Sequence, residues 1–240
     1  MKMPIVVLSA SLAACAFIPQ AAARQSPMER SSQAVSAARP DVFGTVALPI
    51  AHSRYDDRWN RVAATSSATM PNFVHAAHSL AGIGRAQMIN AAVNRHVRYR
   101  SDAKGDYWAT VRETVSRRAG DCEDIAIAKM QVLRSLGMPA SELYMSIGND
   151  VAAGQVHAIL LVRIAGRFWV LDNRVDRLIP HEAFHFHPIL TFSGSRTWLH
   201  GYRPGTMPEA VKALSYAAAS GQLKVGAGTL SSIMAIRKNA

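Results

Sequence analysis

Cysteine is nearly absent from this 240-residue chain, which has only Cys15 and Cys122. Cys15 lies in an apolar N-terminal stretch, so removal of that stretch on export leaves one thiol and excludes an intramolecular disulfide as the staple of the fold. Long apolar runs are scarce too. Beyond the stretch Pro4 to Phe17, no segment approaches a membrane span. Basic blocks are missing, because the arginines are scattered and no run of basic residues reaches five. That dispersion argues against nucleic acid as a partner despite a net charge of +11, or +10 once Lys2 is gone. Acidic proteins or anionic envelope surfaces fit such a charge better, and solvated surface faces account for much of it. Internal repeats are lacking as well.

Lys2, the apolar stretch after it and Ala21-Ala22-Ala23 have the order of a secretory signal over residues 1–23. A periplasmic or secreted protein is expected. Leu12-Ala13-Ala14-Cys15 also has the pattern of a lipobox, in which Cys15 is lipidated and anchors the chain. Residues 24–42, with Ser31-Ser32 and Arg39-Pro40, read as a flexible lead-in. Order is expected from Phe43, with one domain over 43–205 and a helix and tail of unassigned role over 206–240.

Apolar positions Met88, Ile89, Ala92, Val93 and Val97 recur at three and four residues, which predicts a helix over 83–97. Thr110 and Glu113 form a capping-box pattern for a short helix to Arg118, which Gly120 is expected to break. Asp121 can cap the next helix, from Cys122 through Leu136, closed by Gly137 and Pro139. Strands follow at 143–147, 156–164 and 167–171, rich in Val, Ile, Leu and aromatics and divided by Gly148, Gly154 and Ala165-Gly166. A late helix over 206–217 has Pro208 in its first turn.

Cys122 opens a helix, where unpaired N–H groups and the helix dipole favour a thiolate. A thiol nucleophile needs a base, and the base needs an orienting group. If Ala165-Gly166 is a two-residue turn, Asp172 lies opposite Ile159, one diagonal step from His157 on the same sheet face. The helix of Cys122 packed on that face completes a Cys122–His157–Asp172 set.

Asp121, Glu123 and Asp124 crowd negative charge around the thiol and oppose its ionisation. Either Arg117, Arg118 or Lys129 pairs with them, or a hard divalent cation does. The backbone N–H of Cys122 is the default donor for the oxyanion of acyl transfer, with the indole of Trp108 as an added donor or merely a groove aromatic. His181-Glu182-Ala183-Phe184-His185 fits the H-E-x-x-H zinc pattern, but Pro180 and Pro188 leave no room for the helix that motif requires. His75 and His78 have no carboxylate at ligand spacing and are assigned a structural role.

The block Gly120-Asp121-Cys122-Glu123-Asp124-Ile125-Ala126-Ile127-Ala128-Lys129, with Asp106-Tyr107-Trp108-Ala109-Thr110 before it and His157-Ala158 and Val170-Leu171-Asp172-Asn173 after it, resembles the bacterial transglutaminase-like cysteine proteinase family. The resemblance spans about Phe43 to Tyr202. It implies an α+β, papain-like or transglutaminase-like fold, with N-terminal helices packed on an antiparallel β-sheet. By the same likeness Cys122 is nucleophile, His157 general base and acid, Asp172 the orienting carboxylate, and Ca2+ the cation at Asp121 and Glu123, with Asp124 beside them. The expected substrate is an envelope protein such as a surface adhesin, whose cleavage releases cells from a biofilm. The expected partner is an inner-membrane receptor that sequesters the protease when cyclic di-GMP is bound. The same three side chains also suit a transglutaminase or amidase, and a non-catalytic binding protein of this fold is the third reading.

Overall fold

Four helices precede a run of six strands among the described residues, which in this computed structural model are 37–65, 72–103, 105–209 and 212. In chain order these are β1 (Val46–Ile50), α1 (Asp56–Ala64), a 3-10 turn at Asn72–Ser79, α2 (Gly82–His96), β2 (Arg98–Tyr99), α3 (Val111–Arg117), β3 (Ala119–Gly120) and α4 (Cys122–Ser135). Then come β4 (Leu143–Asp150), β5 (Gln155–Ile164), β6 (Arg167–Asp172), β7 (Val175–Pro180), β8 (Phe186–Ser193) and β9 (Arg196–Gly201). The expected signal segment with Cys15, most of the lead-in, most of the late helix and the tail lie outside the described residues.

Ala165 and Gly166 have φ of 50° and 80°, the paired left-handed conformations of a turn whose twist matches its strands. They fold β5 onto β6 with Leu160 opposite Leu171 and Ile164 opposite Arg167, the register the sequence predicts. The full sheet has seven strands in the order β1-β9-β8-β4-β5-β6-β7, every pair antiparallel. Alternation divides its two faces. Ala158, Leu160 and Val162 join the core beneath α2 and α4, while Ile159 and Leu161 join a second cluster with Tyr144, Phe168 and Trp198. Ala37 and Val42 are buried in that second cluster, so the packed domain begins before Phe43 and takes in the end of the expected lead-in.

Residues 124–133 of α4 are buried without interruption, so this helix is the centre of the domain rather than an amphipathic surface element. Each buried Ile, Val or Leu there contributes about 1.5–3 kcal/mol relative to exposure. Asp121 caps it, its side chain accepting from the Asp124 N–H. The capping box of α3 forms as predicted, but its stop differs. Arg118, at φ 48°, ends α3, and Ala119–Gly120 continue as a short strand parallel to β2. Gly120 is required for another reason: a Cβ there falls 2.6 Å from Asp124 Cβ. Its role is close packing against the first turn of α4, not helix breaking.

Candidate active site

Capping by Asp121 fixes Cys122 as the first residue of α4, at the wall of a cleft of about 560 Å³. Tyr55, Trp108, Glu123, His157 and Ala158 share that wall. The thiol donates to Glu123 Oε2 at 3.0 Å, and the Ala158 N–H faces the sulfur and favours its anion. Burial, then the Glu123 charge and its hydrogen bond, then Asp121, act the other way and push the thiol well above its usual value.

On β5, His157 is buried, and its Nε2 lies 2.8 Å from Asp172 Oδ2 at the end of β6. Asp172 is buried too, and burial alone raises a carboxyl. Hydrogen bonds from His157 and from Arg174 outweigh it and hold Asp172 well below the usual carboxylate range. Arg174 contributes its backbone N–H at 2.6 Å and its Nε at 3.2 Å to Oδ1, and its Nη2 at 3.1 Å to Oδ2. The same guanidinium also holds Asp150. With Nε2 engaged by the carboxylate, Nδ1 is the ring nitrogen left for the thiol proton.

The pairing of His157 with Asp172 follows the predicted hairpin register, but the place of the helix differs from expectation. His157 shares its row of β5 with Ile159 and Leu161, which belong to the far cluster, whereas α4 packs on the row of Ala158, Leu160 and Val162. Thiol and imidazole share the cleft at the strand end, not the middle of one sheet face.

The acidic residues divide. Asp121 and Glu123 line the cleft with Asp106, while Asp124 lines a neighbouring depression with Asp102 and Arg117. Asp124 Oδ1 accepts from the Ala109 N–H at 2.6 Å. Burial and then the charges of Glu123 and Asp124 push Asp121 up to about 8. Burial raises Asp124 to about 6 and raises Glu123 as well. The expected ion pairs of these three with Arg117, Arg118 or Lys129 do not form; Lys129 faces Asp172 and Asp176 instead. Nor do three His, Cys, Asp or Glu side chains there close into a preformed metal cage.

Residues 42–199 match the profile of the bacterial transglutaminase-like cysteine proteinases. The chain belongs to this family. Calcium-bound LapG of Legionella pneumophila is a similar solved structure, aligned over 67% of this chain and 97% of its own at 19% identity and a TM-score of 0.50. The EGTA-treated form aligns over 65% and 96% at 19% identity and a TM-score of 0.49. Such identity speaks for the fold alone, a transglutaminase-like α+β domain. Nothing among the curated proteins matches. The transglutaminase-like proteinase described here is a cysteine peptidase.

Trp108 is not an oxyanion donor, because its Nε1 donates to Asp106 Oδ1 at 2.9 Å and its ring stacks on Tyr55 with centroids 5.3 Å apart. It is a groove wall. The histidines of the H-E-x-x-H stretch are split between a 3-10 turn at His181–Ala183 and the residue before β8. His181 Nδ1 accepts from the Phe43 N–H. His75 and His78 are exposed with rings 6.3 Å apart.

Sequence reasoning missed Arg174, Tyr55 and Arg58. An arginine two residues after a carboxylate at a strand end is a legible signal for Arg174, since that spacing closes a tight turn. Tyr55 and Arg58 reach the cleft from α1 and the residue before it, about 65 positions from Cys122, with no pattern linking them.

Proposed function

We propose that this proteinase is an exported, calcium-dependent cysteine endopeptidase in which Cys122 is the nucleophile, His157 the general base and acid, and Asp172 the orienting carboxylate. The 2.8 Å contact of His157 Nε2 with a buried, clamped Asp172, on the cleft that holds the Cys122 thiol, carries the reading. Asp172 fixes the tautomer that leaves Nδ1 unprotonated, and Nδ1 takes the thiol proton as sulfur attacks the scissile carbonyl carbon. The tetrahedral anion is met by the N–H of Cys122 at the start of α4. Its collapse breaks the C–N bond, the amine leaves with the proton from His157, and a thioacyl-enzyme remains. Water, deprotonated by the same nitrogen, attacks that acyl group, expels the sulfur and restores the thiol.

The Asp121 and Glu123 side chains suit Ca2+, being oxygen donors whose carboxyls are raised by burial and by neighbouring acidic charges. Asp124 is the third expected ligand, through the oxygen that Ala109 does not engage. A bound divalent cation supplies the positive charge that lets the thiol ionise beside them. The substrate proposed is an acidic or extended region of an envelope protein, adhesin-like, matching the net charge of +10 that remains once Lys2 is removed; the cyclic di-GMP-responsive membrane receptor is the proposed partner. No helix among the described residues is long and apolar enough to cross a membrane.

Labelled iodoacetamide tests the site directly. It is expected to modify Cys122 in the native protein and to abolish cleavage of a purified surface adhesin. A Cys122 that stays unlabelled with calcium present removes the peptidase reading. Including a labelled amine separates hydrolysis from acyl transfer.

A further inference from the structure

Lys129 is completely buried, and its Nζ has no hydrogen-bond partner among the described residues. It lies on α4 seven residues after Cys122, so it sits two turns along on nearly the same side of the helix. An unpaired ammonium in a core costs several kcal/mol, and an apolar side chain of similar size avoids that cost. The catalytic sequence above does not use it.

Its surroundings are specific. Burial disfavours its charge, and the anions that support it are Asp172 and Asp176, on either side of the β6–β7 turn. Across from α4, Asn90 and Asn94 stand one turn apart on α2 and direct their Nδ2 atoms to this same turn. Asn90 reaches the carbonyls of Val175 and Asp176 at 2.7 and 2.9 Å, and Asn94 reaches that of Asp172 at 3.0 Å. Both Oδ1 atoms are left buried with no partner. Two packed helices thus present a buried amine and two amide acceptors, with no hydrogen-bond partner among the described residues, beside the turn that begins at Asp172. Arg174 grips Asp172 and Asp150 within that same turn region.

We propose that Lys129 is a positioning residue for Asp172: with Asn90 and Asn94, through a bridging water, it ties the helix that carries Cys122 to the turn that carries the carboxylate. The inference rests on the reading of Cys122, His157 and Asp172 as the reacting set. Lys129 is not among the residues that line the cleft, so its route to the reacting set runs through Asp172.

Lys129→Met tests this with three measurements: the thermal midpoint, the rate of Cys122 alkylation by iodoacetamide in calcium, and the downfield NMR signal of the proton between His157 and Asp172. The expected variant melts no lower than the wild type, is alkylated about tenfold more slowly, and shows that proton shifted or broadened. Wild-type alkylation together with an unmoved proton signal overturns the proposal. Should Lys129→Met not fold, Lys129→Gln, which keeps a donor without the charge, is judged by the same outcomes. An unreactive Cys122 in the wild type defeats the peptidase reading instead, and the proton signal still decides Lys129.

Discussion

Gly148 lies directly opposite His157 in the β4–β5 ladder, at the point where the pairing of β4 with β8 shifts register. A Cβ there collides with the carbonyl oxygen of His187 and falls 2.7 Å from Pro188 Cα. Backbone cannot yield as a side chain does. Gly148→Ala is therefore expected to cost at least about 1–3 kcal/mol in urea unfolding and to slow Cys122 alkylation by displacing the strand under His157. A stable, fully reactive variant contradicts this account of the glycine.

Cys122→Ala and His157→Ala remove the sulfur and the ring nitrogen. Each is expected to lower cleavage on the order of a thousandfold or more. Alanine is a good helix former, so Cys122→Ala leaves the circular dichroism and thermal midpoint of the wild type. The check is single-turnover cleavage alongside the melting curve.

Asp172→Asn keeps the shape but not the charge that Arg174 and His157 engage. Turnover is expected to drop on the order of 10³–10⁴-fold, by analogy with serine triads, as the imidazole takes the other tautomer. Because the native carboxyl is held low, its contribution to stability is present above the unfolded value near 4 and is lost as pH falls through the native one. The variant is thus less stable than the wild type at pH 7, by about 1–3 kcal/mol. That gap narrows at pH 3, as urea midpoints at both values will show.

Asp121 and Asp124 carry the opposite sign. Raised to about 8 and about 6, they favour the folded state fully below pH 4, and that contribution disappears as pH rises through those values. In EGTA the thermal midpoint should fall from pH 5 to pH 8 on their account. Added calcium should raise it more at pH 8 than at pH 5, by more than about 3 °C at the higher value, since the cation competes with protons there. Equal midpoints with and without calcium at both pH values remove the metal from the mechanism.

Much of this fold was legible because its signals are local. The capping box at Thr110 and Glu113, the Asp121 cap, the stop at Gly137 and the Ala165-Gly166 turn each act within a few residues. The hairpin register followed from one turn, and with it the proximity of His157 and Asp172. Other features were not legible. Nothing near Trp108 in the sequence announces that Asp106 takes its indole N–H, and nothing near Gly120 shows Asp124 packed against its Cα. Lys129 read as a partner for the acids five to eight residues before it in the chain, yet the anions that support its charge are Asp172 and Asp176.

From its residues alone the candidate thiol, imidazole and carboxylate could be named, together with the secondary elements that hold them, because periodicity, caps and tight turns depend on neighbours in the chain. Packing decided the rest: which row of β5 meets α4, which carboxylates face the cleft, and which charges go unpaired in the core. Those outcomes depend on which distant surfaces exclude water together, and burial, not sequence distance, sets the cost of each charge.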